Sequence, residues 1–353
     1  MSPHNDAASA VAAAAAGNSC TSSELLAKTD AELMAARSKY LKNSTTVGIT
    51  CVPFSAGQPK GGVDDGPIEM LRFGLVDQIQ AMGYSVEMSP GMDKYQSMKP
   101  ASDPPIGILK NPRYVAAAAR RVSEQVREHC AAGRIAVTLG GDHSIGIGTL
   151  VGSSSVYGDD LCVLWIDAHA DINTPETTVS GHLHGCPLSY VLGICDPVHT
   201  KQDALFGWVP PACVRKERLV YIGLRDVDAA EKVLLRKHGI KAYSMHDVDK
   251  HGIGKVVEMA LDHVNPDRSL PVHMSFDVDA LDPSVAPATG TPVRGGLTFR
   301  EGHYICEAVA ESGCLVALDL VEVNPALGDP DSLRQTVAVG CSLVRCSLGE
   351  SLL

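Results

Sequence analysis

Aromatic side chains are scarce, at 5% of the 353 residues, and no apolar run approaches the roughly 18 residues a membrane helix needs. The start of the chain also lacks a basic, apolar leader. Residues 1–20 carry the alanine-rich stretch AASAVAAAAAGNS and no Lys or Arg, so no secretory signal is read there and a cytoplasmic protein is expected. The 11 cysteines include no Cys-x-x-Cys pair; their number is odd and their spacing scattered, which speaks against zinc fingers, redox dithiols and a disulfide framework. Reduced, mostly buried thiols are the expectation. Clustered Lys and Arg are missing too, and a formal charge of −11 argues against a nucleic-acid partner without repelling a cationic substrate. No Gly-x-Ser-x-Gly elbow, phosphate loop or dinucleotide fingerprint occurs, since Gly146-Ile147-Gly148 is too short for the last. Ser144 beside Asp142 and His143 is no triad, because adjacent residues cannot all face one another.

What remains is a soluble α/β pattern. Apolar runs recur at 46–54, 135–139, 161–166, 218–224, 271–276 and 314–323, with helix-like stretches at 67–82, 112–132, 228–238, 252–264 and 299–312 between them. Near-continuous apolar strands alternating with helices predict a three-layer α/β/α fold around a mostly parallel central sheet. One domain over 46–353 is expected, preceded by a low-complexity, flexible extension over 1–45. The final Ser351-Leu352-Leu353 is similar to a peroxisomal Ser-Lys-Leu address without its basic middle residue.

Polar residues fall where the apolar runs end. IAVTL leads into Gly140-Gly141-Asp142-His143, LCVLWI into Asp167-Ala168-His169-Ala170-Asp171, PVHMSF into Asp277-Val278-Asp279, and LVALDLV into Glu322-Val323-Asn324. Ligands of open α/β sheets bind outside the carboxyl ends of the strands, so these segments are expected to share one crevice. Asp167, His169 and Asp171 at i, i+2 and i+4 would face one way if the segment is extended, and Asp277 and Asp279 repeat the arrangement. With His143 they make six carboxylate and imidazole groups whose repulsion and desolvation call for cations among them. The count suggests two ions, and the absence of thiolate favours Mn²⁺ or a similar borderline-hard ion over structural zinc. Asp142 is read as an orienting partner of its neighbouring imidazole.

These same segments, GGDHSIGIGTL, DAHADINTPETTVSGHLHG, SFDVDALDPSVAPATGTPVRGG and LDLVEVNP, resemble the successive signatures of the ureohydrolase superfamily over roughly 46–350, and DINTPETTVSGHLHG with GLRDVDAAE resembles the arginases most. The resemblance implies hydrolysis of L-arginine to L-ornithine and urea by metal-activated water, with two Mn²⁺ per subunit and a homotrimer. His143 and Asp171 would bind one ion, His169 and Asp279 the other, with Asp167 and Asp277 bridging. The implied catalytic set is His184 as proton shuttle, Glu322 at the guanidinium, and Asp171. Asn173 and Ser180 would meet the substrate α-carboxylate, Asp228 and Glu231 the α-amino end, and Thr291 would line the pocket. Where arginases usually read Ser-Gly-Asn-Leu-His-Gly, residues 180–185 read Ser-Gly-His-Leu-His-Gly, and His182 is expected at the substrate carboxylate. The alternatives are an agmatinase-type ureohydrolase, or a non-catalytic binding protein of the same fold.

Overall fold

The computed structural model describes residues 29–199, 201 and 204–350; the alanine stretch and Ser351-Leu352-Leu353 lie outside the described residues. Eight strands run β1 (Thr46–Val52), β2 (Ser85–Met88), β3 (Ile135–Gly140), β4 (Cys162–Ile166), β5 (Leu219–Leu224), β6 (Lys241–Ser244), β7 (Val272–Asp277) and β8 (Leu315–Val321). They form one sheet in the order β2-β1-β3-β8-β7-β4-β5-β6, and every pairing in it is parallel. The six apolar runs of the sequence became the six inner strands. The two edges, β2 and β6, are short and partly exposed.

Side chains alternate between two cores, one on each sheet face, as strand geometry requires. Along β4, Cys162, Leu164 and Ile166 enter one core while Val163 and Trp165 enter the other. Of the helices that matter below, α1 is Asp30–Arg37, α2 Pro112–Ala131, α3 Gly146–Tyr157, α4 Ala229–His238, α5 Ile253–Val264, α6 Phe299–Glu311 and α7 Pro330–Ser347. Helices α2 and α3 cover the Trp165 face; α5, α6 and α7 cover the opposite one. The three-layer α/β/α expectation therefore holds, with a sheet that is wholly parallel. The close packing of α3 on α2 depends on two glycines. A Cβ at Gly148 would lie 2.2 Å from the Ala119 carbonyl oxygen, and one at Gly152 would lie 2.7 Å from that of Ser123.

Residues 29–45 belong to the packed body, which corrects their place in the extension. Thr29 and Glu32 form a capping box on α1, Ala31 and Met34 are buried, and Asn43 N–H donates to the Gly133 carbonyl. Among the described residues no helix is long and apolar enough to cross a membrane.

Candidate metal centre and substrate cleft

The residues singled out in the sequence come together at the carboxyl ends of β3, β8, β7 and β4, four strands adjacent in the sheet. His143 opens a short 3₁₀ turn after β3. Asp167 to Asp171 follow β4 as a loop, so strand alternation does not bring them together. Asp171 instead turns inward through a left-handed backbone, φ 49°, and Glu322 after β8 does the same with φ 65°. A non-glycine residue held there costs on the order of 1–3 kcal/mol, which the surrounding packing must offset. Asp277 caps a 3₁₀ turn that delivers Asp279, its carboxylate accepting the Asp279 N–H at 2.8 Å.

Carboxylates surround both imidazoles. His143 Nδ1 lies 3.2 Å from Asp167, 3.3 Å from Asp171 and 3.3 Å from Asp277, yet it is buried and makes no hydrogen bond to any of them. His169 Nδ1 lies 3.5 Å from Asp167 and 3.0 Å from Asp279. Two ligand triads result, His143 with Asp167 and Asp277, and Asp167 with His169 and Asp279. Asp167 belongs to both. A buried ring nitrogen without a hydrogen-bond partner, set among carboxylate oxygens, is a donor set that fits a divalent cation, to which neutral imidazole presents its lone pair.

Charge repulsion makes the same point. Burial and the Asp167 charge push the Asp171 carboxyl up to about 6, and burial with Asp279 and Asp167 pushes Asp277 well above its ordinary range. Burial opposes ionisation of Asp167 as well, but the imidazoles of His143 and His169 beside it hold it below the usual carboxylate range. Burial pulls His143 down, and the three carboxylates more than reverse this.

Two neighbours missed by the sequence reading set the His143 ring. Trp165 stacks on it with centroids 4.0 Å apart and planes 7° from parallel, and its indole N–H donates to Asp167 at 2.9 Å. Ser275 Oγ lies 2.9 Å from His143 Nε2. Both stand two residues before an aspartate of the centre, a spacing that signals a shared strand face. Asp142 has a different part from the one expected. Its carboxylate accepts the N–H groups of Ser144 and Gly57, so it fixes the turn and the 57 loop, and the ring of His143 turns elsewhere.

Beside the centre opens a cleft of about 210 Å³. His169, Asp171, Asp277 and Asp279 line it, with Asn173, Asp228, Glu231, Thr291 and His184 around them; Asp226 and Gly185 join without having been foreseen. Asn173 donates from Nδ2 to Asp228 at 2.8 Å, and Thr291 donates to Asp279 at 2.7 Å. Asp228 and Glu231 also form the capping box of α4, and burial together with Asp171 pushes Glu231 up to about 8. Glu322, expected at the guanidinium, is buried and outside the cleft lining but meets it through His184, accepting the His143 N–H at 2.9 Å, with His184 Nδ1 3.3 Å from the same oxygen. Burial lowers His184, but Glu322 outweighs it and holds the imidazole up at about 9. Ser180 and His182 stand outside the cleft lining. Ser180 is exposed, with its hydroxyl accepting the His182 N–H.

A family model described as the arginase family matches residues 45–349. The chain belongs to the arginase family. An arginase of Glaciozyma antarctica is 54% identical over 326 residues, covering 92% of this chain and 93% of its own. The crystal structure of a cold-adapted arginase from the psychrophilic yeast Glaciozyma antarctica aligns with a TM-score of 0.72 and 48% identity, over 89% of this chain and 98% of that one. An Entamoeba histolytica arginase, crystallised with L-ornithine, aligns with a TM-score of 0.76 and 25% identity, over 88% of this chain and 100% of its own. The arginase-family chain is accordingly a hydrolase, and its buried His/Asp cluster is where a metal fits.

Proposed function

We propose that the protein hydrolyses L-arginine to L-ornithine and urea, using two Mn²⁺ ions held by His143, Asp167, Asp171, His169, Asp277 and Asp279. The observation that carries this reading is the buried, unpartnered His143 Nδ1 facing three carboxylates. When bound there, two such ions would supply Lewis acidity that lowers the pKa of a water and provides hydroxide near neutral pH.

The chain's own groups do the rest. Glu322, an acceptor with little access to solvent, would hold the guanidinium by charge-assisted hydrogen bonds and orient its carbon. His184 keeps 20% of its side chain exposed and touches Glu322, so it can pass a proton between cleft and bulk water. Asp228, which accepts one Nδ2 hydrogen of Asn173, would present its carboxylate to the α-ammonium, with the second Nδ2 hydrogen of Asn173 directed to the α-carboxylate. The Entamoeba histolytica relative in complex with L-ornithine supports an amino acid as the occupant.

Urea release measured side by side from arginine and agmatine, with and without added Mn²⁺, tests the proposal. Manganese-dependent release from arginine alone is expected. Preference for agmatine would replace the substrate assignment, and no urea from either would leave a binding protein.

A further inference from the structure

Beneath His143 the sheet presents a row of register-paired residues, Thr138 of β3, Asp319 of β8, Ser275 of β7 and Trp165 of β4. Paired residues of neighbouring parallel strands point to the same face. His143 stands on this row, its ring against Trp165 and its Nε2 on Ser275. The next member, Asp319, is a carboxylate only 1% exposed in the middle of a hydrophobic sheet. Thr149 of α3 donates its hydroxyl to Asp319 Oδ2 at 2.6 Å, and His273 Nε2 lies 3.0 Å from the same oxygen. Ser153 of α3 backs His273 through Nδ1 at 2.8 Å. The other oxygen, Oδ1, is buried with no partner.

None of these groups lines the cleft, and the hydrolytic reading uses no charge there. An isolated buried carboxylate is costly, and a tight arrangement of hydrogen bonds to it marks a place where the charge is kept. Burial pushes the Asp319 carboxyl up, but the neighbouring His273 and the Thr149 hydroxyl bring it below the usual carboxylate range. The charge therefore sits on the Nε2 side of His143, opposite the ring nitrogen that faces the carboxylates of the metal centre.

We infer that Asp319 is a positioning residue for the metal site at His143: its buried charge, one strand beyond Ser275, favours the ring tautomer with the proton on Nε2 and the lone pair on Nδ1. A negative group behind a ligating imidazole fixes the tautomer and raises ligand basicity. The inference rests on the two-cation reading. It predicts an asymmetric effect, because Asp319 stands behind His143 and makes no contact with His169.

Calorimetric titration of metal-free protein with Mn²⁺ provides the test, with the two binding steps assigned from the one lost in His143→Asn and the one lost in His169→Asn. In Asp319→Asn, which keeps the shape and removes the charge, affinity at the His143 position is expected to fall about tenfold, and that at the His169 position to stay within about twofold. His273→Gln removes the group that holds the Asp319 carboxyl in its charged form, so affinity at the His143 position should fall there too, by less than in Asp319→Asn, with the His169 position again unchanged. Equal loss at both positions in Asp319→Asn, or no loss at either, would assign the cluster to packing and overturn the inference. Should Asp319→Asn fail to fold, a selective loss at the His143 position in His273→Gln supports the inference, and no loss there or equal loss at both positions overturns it. Wild-type protein that binds fewer than two Mn²⁺ overturns the two-cation reading itself, and this inference with it.

Discussion

Asp167 reaches both imidazoles, 3.2 Å from His143 and 3.5 Å from His169, so its removal uncouples both triads. Asp167→Ala is expected to lose turnover and bound metal together, by more than the roughly 10–100-fold that loss of an outer partner costs. Metal analysis beside a urea assay checks this, and two retained Mn²⁺ would refute the bridging assignment. Asp228→Ala should behave differently. It removes the proposed partner of the substrate ammonium and the N-cap of α4, lowering kcat/KM for arginine and costing about 1 kcal/mol of stability, with metal content unchanged. His182 illustrates what residue type alone conceals. Read as a bare imidazole, it would gain charge just below neutrality and attract a carboxylate. In the structure, burial, then Lys110 and His184, push it down to about 4, so it is neutral across the working range. His182→Asn should therefore leave KM for arginine unchanged at both pH 6 and pH 8; a KM that rises at pH 6 alone would restore the charged role. The six residues proposed as ligands were legible because each brings its own chemistry to a strand end. Trp165 and Ser275 were not, because they act on a ring that arrives from another strand.

Among the elements, those the sequence revealed are the ones with a single strong period. The inner strands announce themselves as apolar runs, whereas β2 and β6 are four-residue edges with exposed side chains and carry almost no pattern. Helix α3 went unread for the opposite reason. It is buried nearly all round, and with glycines where it meets α2 it shows no amphipathic face. Helix α1 carried a legible sign in Thr29-Asp30-Ala31-Glu32, the capping box, which the small and polar composition around it obscured. Met34 of α1 is 5% exposed, so Met34→Ala should lower stability by about 2–5 kcal/mol. A melting temperature equal to wild type would show that α1 does not dock.

The junction of α2 with β1 should give stability a dependence on pH. His129 of α2 fills the space over Gly48, where a Cβ would lie 2.1 Å from its Nδ1. Burial, then Arg134, lowers its pKa, against smaller opposing effects of Glu87 and Glu128; Ser89 Oγ lies 2.9 Å from Nε2. A depressed histidine pKa means that the unfolded chain takes up its proton first as pH falls. This contribution to stability is thus intact above about 6.5 and is lost as pH drops through the lower folded value. In His129→Gln the fall in denaturation midpoint between pH 7 and pH 5 should be shallower than in wild type. An unchanged slope would assign the acid sensitivity elsewhere.

At the scale of the whole molecule, four adjacent parallel strands deliver their carboxyl ends to one rim, and the cleft lies beside it. That convergence was legible, since parallel strands present all their carboxyl ends on one side of the sheet. The inward turns of Asp171 and Glu322 were not, because a left-handed backbone at a non-glycine residue leaves no mark in composition. Hydrolysis as proposed requires two cations in the two triads. Crystals of the Mn²⁺-loaded protein, measured at the manganese absorption edge, would show this directly. Two anomalous peaks about 3.5–4 Å apart are expected, one bonded to His143 Nδ1, the other to His169 Nδ1, and Asp167 touching both. A single peak, or peaks away from these two nitrogens, would contradict the proposal.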